Sequence, residues 1–145
     1  NGRPEPLLSF GPRAVVHFAV SNDLAAMTPR LEGDKTHFLP FNMGRDAGAG
    51  NPPSSGATSP TSYLWERVWE KHAWLTIIGR LMIVETKEQW DVATGTSVRR
   101  TSMLFPRFHQ WEAVTNIVAA VREEGVGQRY LIEHSAGSGK TNTIA

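Results

Sequence analysis

A glycine-rich stretch near the end of the sequence carries a lysine and a threonine at a spacing typical of phosphate binding. Residues 135–141 read S-A-G-S-G-K-T and follow an apolar run at residues 130–132. Glycines allow a tight turn that points successive N–H groups at an anion, and the N-terminus of a following helix adds positive potential. The pattern G-x-G-K-T therefore predicts the second half of a phosphate-binding loop between a strand and a helix.

The residues of this loop have separate predicted roles in holding a triphosphate. Lys140 would reach the β- and γ-phosphates and is the candidate catalytic residue, while the Thr141 hydroxyl would bind Mg²⁺. The backbone of Gly137, Ser138 and Gly139 would surround the phosphates. The alternative is a Gly/Ser-rich turn without a ligand, but the order of strand, loop and helix signals favours the binding loop.

The start of the loop departs from the usual pattern. The full motif G-x-x-x-x-G-K-T has glycine at position 134, where this chain has His134. We therefore expect a different shape at the start of the loop, with an imidazole that could crowd or contact a phosphate.

A second stretch of interest, F-P-R-F-H-Q-W, occupies residues 105–111. A side-chain amide can accept from N6 and donate to N7 of adenine, and Gln110 is placed near the start of a predicted helix to do so. Arg107 or Phe108 could cover the face of the base. A surface glutamine is commonplace, but its position one helix and one strand before the loop favours adenine recognition, and hence ATP as the nucleotide.

The composition sets broad limits on the protein class. The 145 residues suit one domain, 40% of them are hydrophobic, and the formal net charge of +1 gives no global basic field. The absence of cysteine fits a reducing cytoplasm, and the five histidines show no metal-ligand spacing. We find no membrane span or secretory signal, and an N-terminal Asn1 suggests an excised fragment.

Periodicity predicts the elements that position the two stretches. Strands are expected at residues 14–20, 25–31 and 36–41, followed by a Gly/Pro/Ser-rich linker or surface loop.

Residues 63–82 are expected to be helical, with a break near Lys71-His72. The predicted apolar face of this region consists of Leu64, Val68, Leu75, Ile78 and Met82. Trp65, Trp69 and Trp74 are expected to pack in the core or between domains rather than stack on bases. Strands at 81–86 and 98–104 flank a polar turn at 91–97, a helix runs from Pro106 to Gly125, and a strand at 129–133 leads into the loop.

These stretches together resemble the Q motif and motif I of superfamily two helicases. More specifically, F-P-R-F-H-Q-W followed by R-Y-L-I-E-H-S-A-G-S-G-K-T is similar to the R (restriction, motor) subunit of bacterial type I restriction–modification enzymes. The resemblance extends upstream through A-V-V-H-F-A-V-S-N-D, T-H-F-L-P-F-N, G-A-G-N-P-P and S-Y-L-W-E, and so covers nearly the whole chain. His134 also fits the loop of that family.

The resemblance implies an α/β fold in four parts. Residues 1–43 would be the C-terminal part of a PD-(D/E)xK nuclease-type domain, 44–62 a linker or loop, 63–104 a helical connector with short strands, and 105–145 the truncated start of a RecA-like motor lobe. The family is a cytoplasmic bacterial enzyme that uses ATP and Mg²⁺ to translocate and cut double-stranded DNA, in complex with modification and specificity subunits. Gln110 would be its adenine reader. This stretch alone is not expected to hydrolyse ATP, because the later motor motifs are missing.

Two other readings stay open. The chain could be a different P-loop NTPase or helicase module unrelated to restriction, or an interaction domain in which G-S-G-K-T is incidental. A further pattern, Glu85-Thr86-Lys87 after an apolar run, matches the metal-binding half of a nuclease site. It needs an upstream aspartate on a neighbouring strand, which neither Asp34 nor Asp46 supplies, so the sequence disfavours a catalytic role for Glu85 and Lys87.

Overall fold

The computed structural model describes residues 5–11, 13–45, 48–53, 58–91, 95–134 and 139. Within these ranges the fold is mixed α/β, as expected, with two antiparallel sheets and two α-helices. Short 3₁₀ turns at Pro6–Leu8 and Gly33–Lys35 complete the N-terminal part. None of the described helices is long and apolar enough to cross a membrane.

Three short strands form the first sheet in the order β1-β2-β3. They span His17–Val20, Ala25–Thr28 and Leu39–Pro40. The strands are shorter than the sequence predicted, and β2 stops at Thr28 because Pro29 cannot donate a ladder hydrogen bond. The turn between β1 and β2 is closed by Ser21, whose Oγ accepts from the N–H of Leu24 at 3.0 Å.

The predicted helical region is broken, and the break lies at residues 69–70. A π-helical turn at Leu64–Val68 precedes it, and α1 (Lys71–Thr76) runs into a second π-helical turn at Ile77–Leu81. Glu70 restarts the helix because its carboxylate accepts from the N–H groups of His72 and Ala73 at 2.8 and 3.0 Å. The bond from Ala73 is the main reason that the pKa of Glu70 lies below its usual value.

The buried face of this region differs from the predicted one. Leu64 and Val68 are fully buried as expected, but Leu75 is 57% exposed and Ile77, rather than Ile78, is the next fully buried residue. The break and the wider π turns add residues between successive buried positions, so the face shifts relative to a regular 3.6-residue period. The prediction of Leu75 as a core residue was therefore wrong.

A long hairpin follows, with β4 at Ile83–Asp91 and β5 at Thr96–Leu104. The register pairs Ile83 with Leu104 and Asp91 with Thr96, so both strands are longer than predicted. Much of the hairpin is open to solvent on both faces, with Ile83 43% exposed on one face and Trp90 65% exposed on the other. Near its base Met103 is buried, and Phe105, just after β5, belongs to the core.

Helix α2 spans Phe108–Glu124 and matches its prediction closely. Pro106 lies just before the N-cap residue Arg107, and Gly125 ends the helix with a φ of 79°. The strand predicted at residues 129–133 is not formed, and Leu131 is 85% exposed. A strand needs a partner for its backbone groups, and no strand of the described ranges pairs with this segment. A parallel RecA-like sheet is accordingly not seen in them.

The core is one cluster that draws on the first sheet, the helical region and the start of α2. Aromatic rings meet edge to face at its centre. The ring centroid of Phe41 lies 5.2 Å from that of Phe18 and 5.9 Å from that of Phe108, and the ring centroid of Tyr63 lies 5.0 Å from that of Phe108. The fully or nearly fully buried members are Ala25, Met27, Phe41, Tyr63, Leu64, Val68, Ile77, Phe105, Phe108 and Trp111.

The three tryptophans of the helical region behave differently from one another. Trp74 packs against the core as predicted. Trp69 contacts the ring of Phe18 at 5.4 Å but stays 39% exposed, and Trp65 is 51% exposed. Only Trp74 thus fulfils the expected packing role, and Trp65 is a surface residue here.

The Gly/Pro/Ser-rich region contains no helix or strand in its described parts (residues 44, 45, 48–53 and 58–62), as predicted, yet buried polar groups anchor it. Asn51 is 8% exposed; its Oδ1 accepts from Met43 N–H at 2.8 Å and its Nδ2 donates to Asp23 O at 2.9 Å. Thr61 is 1% exposed and donates to Ser21 O at 3.0 Å. These bonds hold the loop against the β1–β2 turn.

Candidate functional site

Gln110 occupies the third position of α2, and its side chain is fixed by the start of the helix. It is only 7% exposed, and its Oε1 accepts from the backbone N–H of Arg107 at 2.8 Å. The first N–H groups of a helix have no partner within the helix, so this bond satisfies one of them. The orientation of the Gln110 amide is therefore set by local structure before any ligand is considered.

The other end of the same amide reaches the glycine-rich loop. Its Nε2 donates to the backbone carbonyl of Gly139 at 2.8 Å, across 29 residues of sequence. Gly139 has a φ of 82°, a conformation that favours glycine. A Cβ at this position would lie 2.8 Å from the Gln110 Nε2. The backbone conformation thus favours glycine at residue 139, and any side chain there would have to displace the Gln110 amide.

Within the described part of the chain, the contacts of Gln110 use only part of its hydrogen-bonding capacity. A primary amide offers two N–H donors and two lone pairs on its oxygen. One donor is used on Gly139 and one lone pair on Arg107. The donor and the lone pair that these two bonds leave are the types that a bidentate contact with adenine needs.

Residues 130–134 run back along α2 in the opposite direction. At the C-terminal end of the helix, the Tyr130 hydroxyl donates to Glu124 Oε2 at 2.9 Å. At the N-terminal end, the His134 ring meets that of His109 edge to face at 4.9 Å. Desolvation is the main cause that raises the pKa of Tyr130, and the hydrogen bond to Glu124 raises it further.

The two contacts lie far apart along α2. Residues 109 and 124 are about 22 Å apart along the helix axis at 1.5 Å per residue, whereas four residues span at most about 14 Å. The contacting side chains at both ends must cover the rest. A groove of about 480 Å³ lies between the segment and the helix. The segment before the loop therefore follows α2 without pairing with a strand of the described ranges.

The structure describes fewer contacts for the other residues of the predicted nucleotide site. Arg107 is the partly buried N-cap of α2, and its Nε is buried without a hydrogen-bond partner in the described part of the chain. His134 is also partly buried, beside α2. Four residues of the predicted phosphate site lie outside the described ranges: Gly137, Ser138, Lys140 and Thr141. The structure thus brings together Gln110, Arg107 and Gly139 and makes no statement on the other four.

Two contacts that position α2 were not predicted. His109, which the sequence marked as an ordinary histidine, contacts the residue that opens the loop. Arg67 lies over the rings of Phe108 and Trp111 at 5.7 Å each and bonds to Glu112 at 3.0 Å. No local pattern signals either contact, because each joins residues that are at least 25 positions apart.

The E-x-K pattern has a surface role. Lys87 Nζ lies 2.9 Å from Glu85 Oε1 on the exposed hairpin, with side chains 70% and 39% exposed. The described residues contain no group of three or more His, Asp or Glu side chains that could hold a metal ion. The geometry here supports an ion pair between neighbours on one face of β4.

No family model, curated protein or solved structure matches this chain. A function therefore has to be argued from the geometry around Gln110 and from the motif itself.

Proposed function

We propose that this chain carries the adenine-reading and phosphate-binding elements of an ATP-dependent DNA motor, the R subunit of a type I restriction enzyme. The observation that carries the proposal is the hydrogen bond from Gln110 to Gly139. The sequence predicts that Gln110 reads adenine and that Gly139 is part of a phosphate loop, and in the fold these two residues are in direct contact. Their contact supports one shared nucleotide site rather than two unrelated motifs.

In the proposed site each group has a defined task. Gln110 reads the adenine edge, and Arg107 covers the base. Gly137, Ser138 and Gly139 surround the phosphates with backbone N–H groups, Lys140 neutralises the transferred phosphate and Thr141 binds Mg²⁺. The fit is supported by residue 139, where only glycine leaves room for the Gln110 amide. Bound ATP would supply the phosphoanhydride bond whose hydrolysis drives movement along DNA.

The wider assignment follows the same resemblance. The first sheet would close a PD-(D/E)xK nuclease-type domain, and α2 with the loop would open a RecA-like motor lobe of a cytoplasmic bacterial enzyme. Double-stranded DNA and the modification and specificity subunits would be the partners. The course of residues 130–134 beside α2 supports this, because in a motor lobe the segment directly before the phosphate loop lies beside a helix.

The direct test is nucleotide binding by the 145-residue chain, measured by titration calorimetry with MgATP and MgGTP. We expect a preference for ATP, loss of both nucleotides in Lys140→Ala, and loss of the preference alone in Gln110→Ala. Gln89→Ala, at an exposed position of β4, is the matched control and should leave both affinities unchanged. Failure of the wild-type chain to bind either nucleotide in the presence of Mg²⁺ would overturn the proposal.

A further inference from the structure

A second cleft lies away from α2 and the glycine-rich loop. It has a volume of about 780 Å³ and lies between the N-terminal part of the chain and β5 of the hairpin. Residues that follow β2 form one wall, and alternate residues of β5 form the other. The side chains that decide its chemistry are Arg30, Glu32, Lys35, His37, Arg99 and Thr101.

The charges of this cleft are mostly positive. Among the described residues, three cations, Arg30, Lys35 and Arg99, line it together with one carboxylate, that of Glu32. Arg99 also lies 3.9 Å from the exposed Glu88 on the neighbouring strand, which makes a weak pair. Arg30 lies 3.5 Å from Glu32, and both side chains are more than half exposed, so the attraction between them is weak. Lys35 has no carboxylate within ion-pair distance among the described residues. The cleft therefore has an excess of positive charge in a chain whose net charge is only +1.

The walls hold these cations at defined places. The Arg30 guanidinium lies over the ring of Phe10 at 5.5 Å, an arrangement that orients it. Along β5, Arg99, Thr101 and Met103 alternate onto one face, and Met103 is buried at the base. Arg99 and the Thr101 hydroxyl are thus presented from one wall while Arg30 and Lys35 come from the other.

We propose that this cleft binds the oxyanions of phosphate groups. Arginine, lysine and hydroxyl groups are the side chains that most often contact phosphate oxygens. The cleft is wide and its cations are exposed, which suits a ligand that carries several phosphates along its length. Such phosphates could come from a nucleic-acid backbone or from a free polyphosphate. The proposal is independent of the nucleotide site, because the two share no residue.

The test measures both sources on the same chain. A fluorescently labelled 20-base-pair duplex is titrated by anisotropy at 50, 100 and 200 mM KCl, and pyrophosphate is titrated by calorimetry. We expect the Lys35→Ala, Arg99→Ala double variant to lose at least tenfold in affinity. For the duplex, the slope of log K against log [salt] should fall by about one for each phosphate contact removed. Lys71→Ala combined with Arg122→Ala removes the same charge from exposed sites elsewhere.

Each outcome decides the question. Binding of the duplex that depends on Lys35 and Arg99 assigns the site to nucleic acid, and the same dependence for pyrophosphate alone assigns it to free phosphates. Glu32→Gln removes the one carboxylate and should tighten binding, which tests the site without risk to the fold. Equal losses in the two double variants, or no binding of either probe, would overturn the proposal. The Lys35→Ala, Arg99→Ala variant should keep the wild-type affinity for MgATP, which separates this site from the ATP site.

Discussion

The side-chain amide of Gln110 joins the start of α2 to the carbonyl of Gly139 by a 2.8 Å hydrogen bond. The same amide accepts the N–H of Arg107 at 2.8 Å. A single buried side chain therefore ties together the N-cap of a helix and a loop that lies 29 positions later. A substitution at Gln110 or Gly139 should therefore disturb both the loop and the start of α2, and this coupling can be tested without a ligand.

Replacement of Gln110 should separate the two bonds. Gln110→Ala loses both, leaves the buried Arg107 N–H without its partner, and should lower the free energy of unfolding by roughly 1–3 kcal/mol. Gln110→Glu keeps the acceptor for Arg107 but places a nearly buried carboxylate against the Gly139 carbonyl, which repels it. It should therefore cost at least as much stability as the alanine variant and should also release the loop. Urea unfolding measures the loss of stability, and the NMR chemical shift of the Gly139 amide reports the release of the loop. An unchanged Gly139 shift in Gln110→Glu would contradict the coupling.

Gly139→Ala should damage the site more than a comparable glycine replacement elsewhere. Gly139 and Gly125 have φ values of 82° and 79°, so an added Cβ strains both backbones by about 1 kcal/mol. Only at Gly139 does the Cβ meet another group, the Gln110 Nε2, whereas nothing lies within 4 Å of the Cβ at Gly125. We expect Gly139→Ala to lose more stability than Gly125→Ala in thermal unfolding, because it also disturbs the Gln110 hydrogen bond. We expect only Gly139→Ala to lose affinity for MgATP, by calorimetry.

The sequence was sufficient for elements whose signals are local. Pro106 and Gly125 bracket α2 because proline and glycine determine backbone conformation at helix ends, whatever the tertiary context. The break in residues 63–82 was also visible, within two residues of where Glu70 restarts the helix. In the same way, the Gly/Pro/Ser-rich region was correctly expected to lack a helix or strand in its described parts.

What could not be predicted depends on contacts between distant residues. The π turns at Leu64–Val68 and Ile77–Leu81 shift the buried face, and no local propensity signals them. The strand predicted at residues 129–133 is not formed, because a strand needs hydrogen bonds from a partner strand, which its own residues cannot predict. For the candidate site, residue types identified Gln110 and Gly139 separately, but their mutual hydrogen bond required the fold.

Ionisation of Tyr63 should destabilise the fold at high pH. Tyr63 is 3% exposed, its hydroxyl donates to Phe41 O at 2.6 Å, and burial raises its pKa from 10.0 to about 12. Because the pKa is raised in the folded state, the stabilisation is fully present below pH 10 and is lost as pH rises from 10 through 12. The total loss should be roughly 2–3 kcal/mol, at 1.36 kcal/mol per pKa unit. Urea unfolding at pH 8, 10 and 12 measures it.

The two tyrosines of the chain allow a matched control for this pH effect. Tyr63→Phe leaves the Phe41 carbonyl without its donor, so it should cost about 1–2 kcal/mol at pH 7 and should flatten the decline above pH 10. Tyr130→Phe removes an exposed hydroxyl and should keep the decline. A decline that persists in Tyr63→Phe and vanishes in Tyr130→Phe would show that the wrong tyrosine had been identified.

Asn51 should be the main anchor of the Gly/Pro/Ser-rich region. Asn51→Ala leaves the Met43 N–H and the Asp23 carbonyl without partners and should cost roughly 1–3 kcal/mol for each group that stays buried. Asn51→Asp keeps the acceptor for Met43 but places a nearly buried carboxylate against the Asp23 carbonyl, so a loss at least as large is expected in urea unfolding at pH 7. Asn116→Ala, on the exposed part of α2, should cause no loss. Limited proteolysis should cut Asn51→Ala within residues 44–62 faster than wild type.

Phe108, in the predicted motor lobe (residues 105–145), should hold three predicted parts of the chain together as one cooperative unit. Its side chain is 1% exposed. Its ring centroid lies 5.9 Å from that of Phe41, in the predicted nuclease-type part (residues 1–43), and 5.0 Å from that of Tyr63, in the predicted connector (residues 63–104). Phe108→Ala should cost about 3–5 kcal/mol and Phe108→Leu less, through the cavity each leaves. If the core is one unit, hydrogen exchange of the Met27 amide in β2 should accelerate in step with global unfolding. Val118→Ala, at a 42% exposed position of the same helix, should leave that exchange nearly unchanged. Retained protection of Met27 in a Phe108→Leu variant that is globally destabilised would show instead that the first sheet is stable without α2.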